Sequence, residues 1–428
     1  MSAVKFSYLY SWINRDGKLL VLTSGLRNFG YGFLSIVLLI YLKLTGFTGF
    51  EGGLIISSIL ATGAAITILG ALYADKIGRR RFLFIFSVLM ALSGVIFVFT
   101  TNAILLIIGA MIGTLSPSGS EVSAYLSIEQ AMLPNSAPSG RRNSLFATYT
   151  LVAQLTGAVG SLYGGLPTIF QNFFHYSLLA SYKPIFASYA IVAVATALLY
   201  IFMSDKVELG RPSAAKAEEK LSPASRSLIA RMTLLFGIDA FAGGFIIQTV
   251  MSYWFQAKFG TPVDYIAFVF FVSGVLTSGS LIIAGKLADR FGAVNTMVFT
   301  HLPSNLLLVL VPLMPTFLGS ISLYLARSAI SLMDVPARQS YTVSVVKSRE
   351  RLKATSATNI SRNAARAASP TIAGYAFQFV SLSFPFFISG ILYTVSDLGI
   401  YASFRKVKPI EEIVDPENDP AATGREKT

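Results

Sequence analysis

From Leu19 to Leu42 the chain reads LLVLTSGLRNFGYGFLSIVLLIYL, twenty-four residues with a single charge, Arg27. A helix needs about 20 apolar residues to cross a hydrocarbon core of roughly 30 Å. Leu19–Leu42 meets that requirement, and so does Ile185–Met203. In lipid every backbone N–H and C=O must be satisfied within the segment or a closed barrel. Barrel strands alternate over about 10 residues, and these runs are too long and too continuous for that. The chain therefore reads as an all-α membrane protein.

Working outward, twelve such spans are expected, starting near Leu19, Gly52, Phe82, Ala103, Asn143, Pro184, Leu228, Val263, Val294, Phe317, Ala354 and Phe384. The whole sequence agrees: of 428 residues 54% are hydrophobic and only 13% charged, where a soluble domain carries about 25% charged residues. The formal charge of +13 comes from 34 Lys and Arg against 21 Asp and Glu. The basic residues cluster in short loops between apolar runs, which points to membrane orientation, not to nucleic acid. There is no cysteine, and the two histidines, His175 and His301, stand far apart in sequence. Neither a thiol chemistry nor a histidine metal centre is expected, and no cofactor. The N-terminal segment lacks the small-residue cleavage site of a secretory signal, so the first span is expected to be retained.

Loop charge sets the orientation. Lys76, Arg79, Arg80 and Arg81 follow the second span, Arg141 and Arg142 the fourth, Lys286 and Arg290 the eighth, and Lys347, Arg349, Arg351 and Lys353 the tenth. The loops on the other side hold only Lys43, Lys183 and Lys258. Short basic loops stay cytoplasmic, so a multi-pass protein of the cell membrane is expected, with both termini cytoplasmic. The expected layout is a cytoplasmic segment 1–18, a six-helix bundle 19–203, a polar linker 204–227, a second six-helix bundle 228–404 and a cytoplasmic tail 405–428.

The halves repeat. The second span ends Ala71-Leu-Tyr-Ala-Asp75-Lys-Ile-Gly78-Arg79, and the eighth ends Gly285-Lys-Leu-Ala-Asp289-Arg-Phe-Gly292-Ala293. Gly25-Leu-Arg27-Asn-Phe29 in the first span is matched by Gly237-Ile-Asp239-Ala-Phe241 in the seventh, at an offset of 212 against 214 for the loop motifs. Such internal symmetry marks a duplicated transporter scaffold.

On these residues the sequence resembles the major facilitator superfamily over nearly the whole chain. The pattern Gly-x-x-x-Asp-Arg/Lys-x-Gly-Arg-Arg/Lys of that family stands at Ala71–Arg80, with Ala71 in place of the leading Gly. Its echo at Gly285–Gly292 continues with Ala293 and Val294 where the first copy has Arg79 and Arg80. The Gly-Pro-x-x-Gly-Gly signature of drug antiporters is absent from the fifth span, and the fourth lacks their Arg. The resemblance implies two six-helix halves about a central cavity lined by spans 1, 4, 7 and 10. It implies gating by Asp75, Gly78, Arg79 and Arg80 and by Gly285, Asp289 and Gly292. By the same analogy Asp75 faces the N-terminus of span 11 and Asp289 faces span 5.

Charge in the bilayer costs from about 2.5 kcal/mol upward, so ionisable residues inside spans are functional candidates. Arg27 and Asp239 lie roughly 12–18 Å deep at 1.5 Å per residue. Arg27, Glu121, Asp239, Arg327, Asp334 and Arg366 are the candidates for binding substrate or a coupling proton. Glu129, Arg338 and Arg362, nearer the basic loops, are assigned to pairing between helices and to gating. Asp397 and His301 are expected to be structural. Tyr31, Tyr125, Tyr253, Trp254 and Tyr324 are candidates for pocket walls, with lipid-interface or core packing the competing assignment. Arg27, Arg327 and Arg366 offer planar forks to an anion, but the cavity carboxylates offset them, so charge alone leaves the substrate's sign open.

The expected function is secondary active transport of a small organic solute by alternating access, coupled to protons and carried out by a monomer. A passive facilitator and a transport-inactive sensor of the same fold are the alternatives. No nucleotide-binding Gly-x-x-x-x-Gly-Lys-Ser/Thr occurs, and Asp75-Lys-Ile-Gly lacks the Thr of the phosphorylated signature of cation pumps. No catalytic triad spacing supports an enzyme.

Overall fold

The computed structural model describes residues 12–113, 115–120, 124–138, 141–205, 223–346 and 350–407, and the described residues form helices and connecting turns. Each of the twelve expected span positions is occupied by helix, starting within five residues of its expected place. Nine stretches are long and apolar enough to cross a membrane. The other three positions fail that measure for physical reasons: two rods are broken, and one is polar.

The first half comprises α1 (Arg15–Leu44), α2 (Gly49–Ile77), α3 (Arg79–Phe99), α4 (Ala103–Ile112), α5 (Ala124–Met132), α6 (Arg142–Tyr163), α7 (Leu166–Phe174) and α8 (Lys183–Ile201). The second comprises α9 (Pro223–Gly244), α10 (Gln248–Phe259), α11 (Val263–Phe291), α12 (Ala293–Leu310), α13 (Phe317–Ser328), α14 (Asp334–Ser344), α15 (Arg351–Phe379) and α16 (Phe384–Phe404). The fourth position is α4 plus α5, the seventh α9 plus α10, and the tenth α13 plus α14. Helices broken at membrane depth are tolerated where the freed backbone lines protein or a cavity.

Local chemistry sets the ends. Asn14 caps α1 by accepting from the Gly17 amide at 2.8 Å, and Thr48 with Glu51 forms a capping box on α2. The two loop motifs turn alike: Gly78 at φ 100° and Gly292 at φ 83° end α2 and α11 in backbone that glycine adopts freely. Arg80 then donates to the Met203 carbonyl at 2.6 Å and pairs with Asp205 at 3.1 Å, clamping the start of α3 to the end of α8.

α1 is the centre of its bundle: 89% of its apolar window is buried, against 33–61% for the other spanning helices. The remaining helices turn large apolar side chains outward, among them Phe99, Ile191, Leu234 and Leu318, as a lipid-facing surface requires.

The two bundles meet at one end. We call the end carrying Arg79, Arg80, Arg81, Arg351 and Lys353 the basic end, and its opposite the far end. Toward the far end one apolar cluster spans both halves, joining Tyr31, Phe33 and Val37 to Trp254, Ile266 and Phe386. A smaller one joins Leu39 and Ile56 to Phe245, Ile247, Val250 and Ala373. At the basic end the cores are separate: Leu20, Phe82, Met132 and Tyr149 in one bundle, Met232, Met297, Tyr341 and Phe404 in the other.

Polar contacts follow the same division. Thr371 donates through its hydroxyl to Ser57 at 2.7 Å, Ser252 donates to the Ile36 carbonyl at 2.6 Å, and Gln248 donates to Ser161 at 2.8 Å. α2 and α15 touch backbone to backbone, so that a Cβ on Gly53 would collide with the Pro370 carbonyl oxygen. Ala71 and Asp75 lie about five turns further along the same face of α2, counted from Gly53 and Ser57. Both are exposed. Gly285 lies about five turns beyond Ala267 on α11, and no described atom comes within 4 Å of a Cβ built there, whereas Gly165 presses on Asp264 and Ala267. The helices splay toward the basic end, and the interior opens there.

Candidate functional site

Each bundle carries a knot of charge inside it. In the first, Glu129 on α5 receives Arg27 of α1 through two nitrogens, at 3.0 and 2.5 Å. Its carboxylate also accepts from Thr23, Tyr149 and Tyr200, each at 2.7 Å. Arg27 further donates to the Tyr200 hydroxyl and lies 4.4 Å over the Tyr125 ring. Both carboxylate oxygens are fully engaged, and Arg27, Glu129, Thr23 and Tyr200 are 0% exposed. The knot is sealed.

In the second bundle, Asp239 on α9 accepts from Arg362 of α15 at 2.7 Å and from Arg338 of α14 at 3.2 Å. Arg338 also donates to Asp334, one turn earlier, at 2.5 Å. All three bonds end on Oδ2. Among the described residues the Oδ1 atoms of Asp239 and Asp334 accept none. Arg338 and Arg362 retain 12% and 15% side-chain exposure, so this knot reaches the opening that the first does not.

Two arginines are left over. Arg366 lies one turn beyond Arg362, partly exposed, and Arg327 lies in the last turn of α13, with its Nε buried and without an acceptor. Neither guanidinium forms an ion pair or hydrogen bond with a described residue. Behind them, Asp397 accepts from Asn305 at 2.7 Å and faces His301 Nδ1 at 3.1 Å, in a buried group. Tyr393 stands edge-on to His301, with ring centroids 4.7 Å apart.

The structure thus joins residues that the sequence placed in different groups. Arg27 pairs with Glu129, and Asp239 and Asp334 share Arg338. Glu121 lies outside the described residues, as do Lys347 and Arg349. In the gating motif, Asp75 pairs with Arg79 at 2.7 Å and is 48% exposed. Asp289 is exposed too, and Gly285 faces open space. The contacts with α15 and α6 that the family pattern implies for the two aspartates are not made among the described residues in this conformation, because the bundles have separated there. Tyr125 sits under Arg27, Tyr253 packs on Phe377, and Trp254 packs on Phe386. Thr23, Tyr149, Tyr200 and Tyr393 escaped the sequence reading. Only Tyr200 carried a signal, a lone hydroxyl within an apolar run, which a buried acceptor explains.

Two bundles closed over buried charge at one end and parted at the other define a multi-pass membrane transporter. A profile described as Major Facilitator Superfamily matches residues 20–333, and the chain belongs to that superfamily. A Saccharomyces cerevisiae protein named as the uncharacterized membrane protein YJR124C is 29% identical over 425 residues, covering 91% of this chain and 94% of its own. The solved structure of a D-xylose–proton symporter superposes with a TM-score of 0.72 at 17% identity, over 92% of this chain and 98% of that one. The human organic anion transporter MFSD10 (TETRAN) gives 0.63 at 16% identity, over 90% and 99%. At such identities the likeness to the solved structures concerns the fold.

Proposed function

We propose that this chain is a secondary active transporter that moves a small organic solute by alternating access and couples the movement to protons. The observation that carries the reading is one-sided closure: shared apolar core at the far end, separate cores and exposed motif aspartates at the basic end. Closing the basic end while opening the far one would present the same interior to the other side. The bundles that rock are 19–203 and 228–404, joined by 204–227, with the basic end and both termini in the cytoplasm and the monomer as the working unit.

Proton coupling falls to Asp239 and Asp334. Each uses one carboxylate oxygen on an arginine, and the other accepts no hydrogen bond among the described residues and so can take a proton. Protonating Asp239 loosens both Arg338 and Arg362, the links from α9 to α14 and α15, and protonating Asp334 frees Arg338 from its neighbour one turn earlier on α14. The sealed Arg27–Glu129 knot has no such free oxygen and serves as a fixed brace.

The test is flux in proteoliposomes, with the solute first found by a thermal-shift screen of metabolites, since a ligand of the folded state raises its stability. Accumulation driven by an imposed pH gradient, lost in Asp239→Asn, supports the reading. Equilibration that ignores both the gradient and the substitution would leave a passive facilitator. Accessibility labelling that put Arg80 and the 204–227 segment on opposite membrane faces would overturn the topology.

A further inference from the structure

We propose that the transported solute is an anion, held by its acid group between Arg327 and Arg366 with the Tyr393 hydroxyl as a third donor. The proposal rests on the transport reading above and narrows it to a substrate class. In the second bundle the guanidiniums of Arg338 and Arg362 are matched by the carboxylates of Asp239 and Asp334. Asp397 is taken up by His301 and Asn305. No ion pair or hydrogen bond among the described residues reaches the guanidiniums of Arg327 and Arg366, and the Nε of Arg327 is buried without an acceptor.

A buried cation without a partner is costly, and a cation held for structure finds acceptors. This chain does so elsewhere. Arg27 has Glu129, Arg79 has Asp75 and the Ala131 carbonyl, and Lys258 has the carbonyls of Pro312 and Met314. Arg327 is 9% exposed, yet its Nε meets no acceptor.

The two arginines share a level. Arg366 packs by its own carbonyl against Gly244, where a Cβ would lie 2.6 Å away, at the break between α9 and α10. Arg327 ends α13 at the break in the tenth rod. Tyr393 reaches the same break between α9 and α10: its hydroxyl would lie 2.7 Å from a Cβ on Gly243, next to the Gly244 that Arg366 packs against. That hydroxyl has no partner among the described residues. Two planar forks and a phenol suit an oxyanion, a carboxylate or a phosphate group alike, and reject an ammonium.

The experiment uses the purified full chain in detergent at constant ionic strength. Thermal unfolding is followed with lactate, succinate and glycerol 3-phosphate as anions, xylitol as a neutral probe and putrescine as a cation. At least one anion should raise the midpoint with concentration, and xylitol and putrescine should not. The carboxylate and phosphate arms tell which oxyanion is preferred. Arg327→Gln and Arg366→Gln should each weaken the anion's effect roughly tenfold or more. Each should leave the ligand-free midpoint unchanged or higher, because a cation without a partner among the described residues has been removed, and Arg366→Lys should keep part of the response. The proposal fails if no anion shifts the midpoint, if the shift survives both substitutions, or if either glutamine variant unfolds several degrees lower without ligand. Vesicles that carry xylitol or putrescine equally in wild type and both variants sink the anion site and leave transport standing. Arginine-dependent anion binding with no anion flux does the reverse.

Discussion

The two bundles descend from one plan yet hold their charges differently. Arg27 and Asp239 stand at equivalent places with opposite signs, and Tyr125, whose ring lies under Arg27, is replaced at the equivalent place by Arg338. The first bundle closes one arginine on one carboxylate with three hydroxyls and excludes water. The second spreads two carboxylates over two arginines and, among the described residues, leaves an oxygen free on each and adds two arginines with no partner. A knot that is saturated can only hold, whereas one with open valences can exchange a partner for a proton or a solute. On this reading the asymmetry divides the labour: one bundle is the brace, and the other binds.

The sharpest way to break that comparison is to unpair each knot in turn. Arg27→Met leaves Glu129 charged and buried, and should cost about 3–5 kcal/mol of stability. Arg27→Met with Glu129→Gln removes both charges while keeping an acceptor for the hydroxyls of Thr23 and Tyr200, and should recover most of the loss. Denaturation of the purified variants in detergent measures both. A mild effect of the single substitution would mean that the first knot is not a brace.

Asp239→Asn is the matched change in the second bundle. Arg338 keeps Asp334, and water reaches Arg362, so the expected loss is about 1–3 kcal/mol. Flux should collapse even where the folded protein is recovered. If Asp239→Asn destabilised as much as Arg27→Met, the contrast between a sealed and an open knot would be lost.

Why was only part of this legible in the sequence? The spans were, because hydrophobic length is a local property: helices begin at or near each expected position, including the polar α15. The breaks were not. Gly113 and Ala329 end α4 and α13 inside segments that were each expected as a single span. Nor could sequence decide which charges meet. Glu129 was assigned to pairing and Arg27 to binding, yet they close on each other across 102 residues. Depth along a helix is readable from residue count, but the direction a side chain faces depends on how the rods pack. The pair Arg327 and Arg366 stood out only once the partners of Arg338, Arg362 and Asp397 among the described residues were known.

The tyrosines give a finer cut. Tyr200→Phe removes a donor to Glu129 inside the sealed knot and should cost about 1–3 kcal/mol. Tyr393→Phe removes a hydroxyl with no described partner, so stability should move by no more than about 0.5 kcal/mol. Thermal unfolding of the two variants side by side reads the difference directly. Equal losses would show that Tyr393 is held as firmly as Tyr200, and that the second bundle is as closed as the first.

The smallest effect on stability belongs to the loop aspartates, where the bundles are alike. Asp75 is half exposed on Arg79, and exposed ion pairs contribute about 0–1 kcal/mol. Asp289 is exposed without even that partner among the described residues. Asp75→Asn and Asp289→Asn should therefore leave the unfolding midpoint nearly unchanged. Both nonetheless lie on the faces of α2 and α11 that carry the far-end contacts, about five turns away. When the basic end closes, these faces come together there, and a carboxylate can meet the N-terminal dipole of a helix across the gap, worth about 0.3–1 kcal/mol at an exposed site and up to about 2 kcal/mol when partly buried. Loss of that contact disfavours the closed-inside state and slows the cycle, by about tenfold where it is worth 1.4 kcal/mol. The decisive result is slow flux with normal stability in both variants. Wild-type flux in both would show that the motif aspartates serve only to orient the loops.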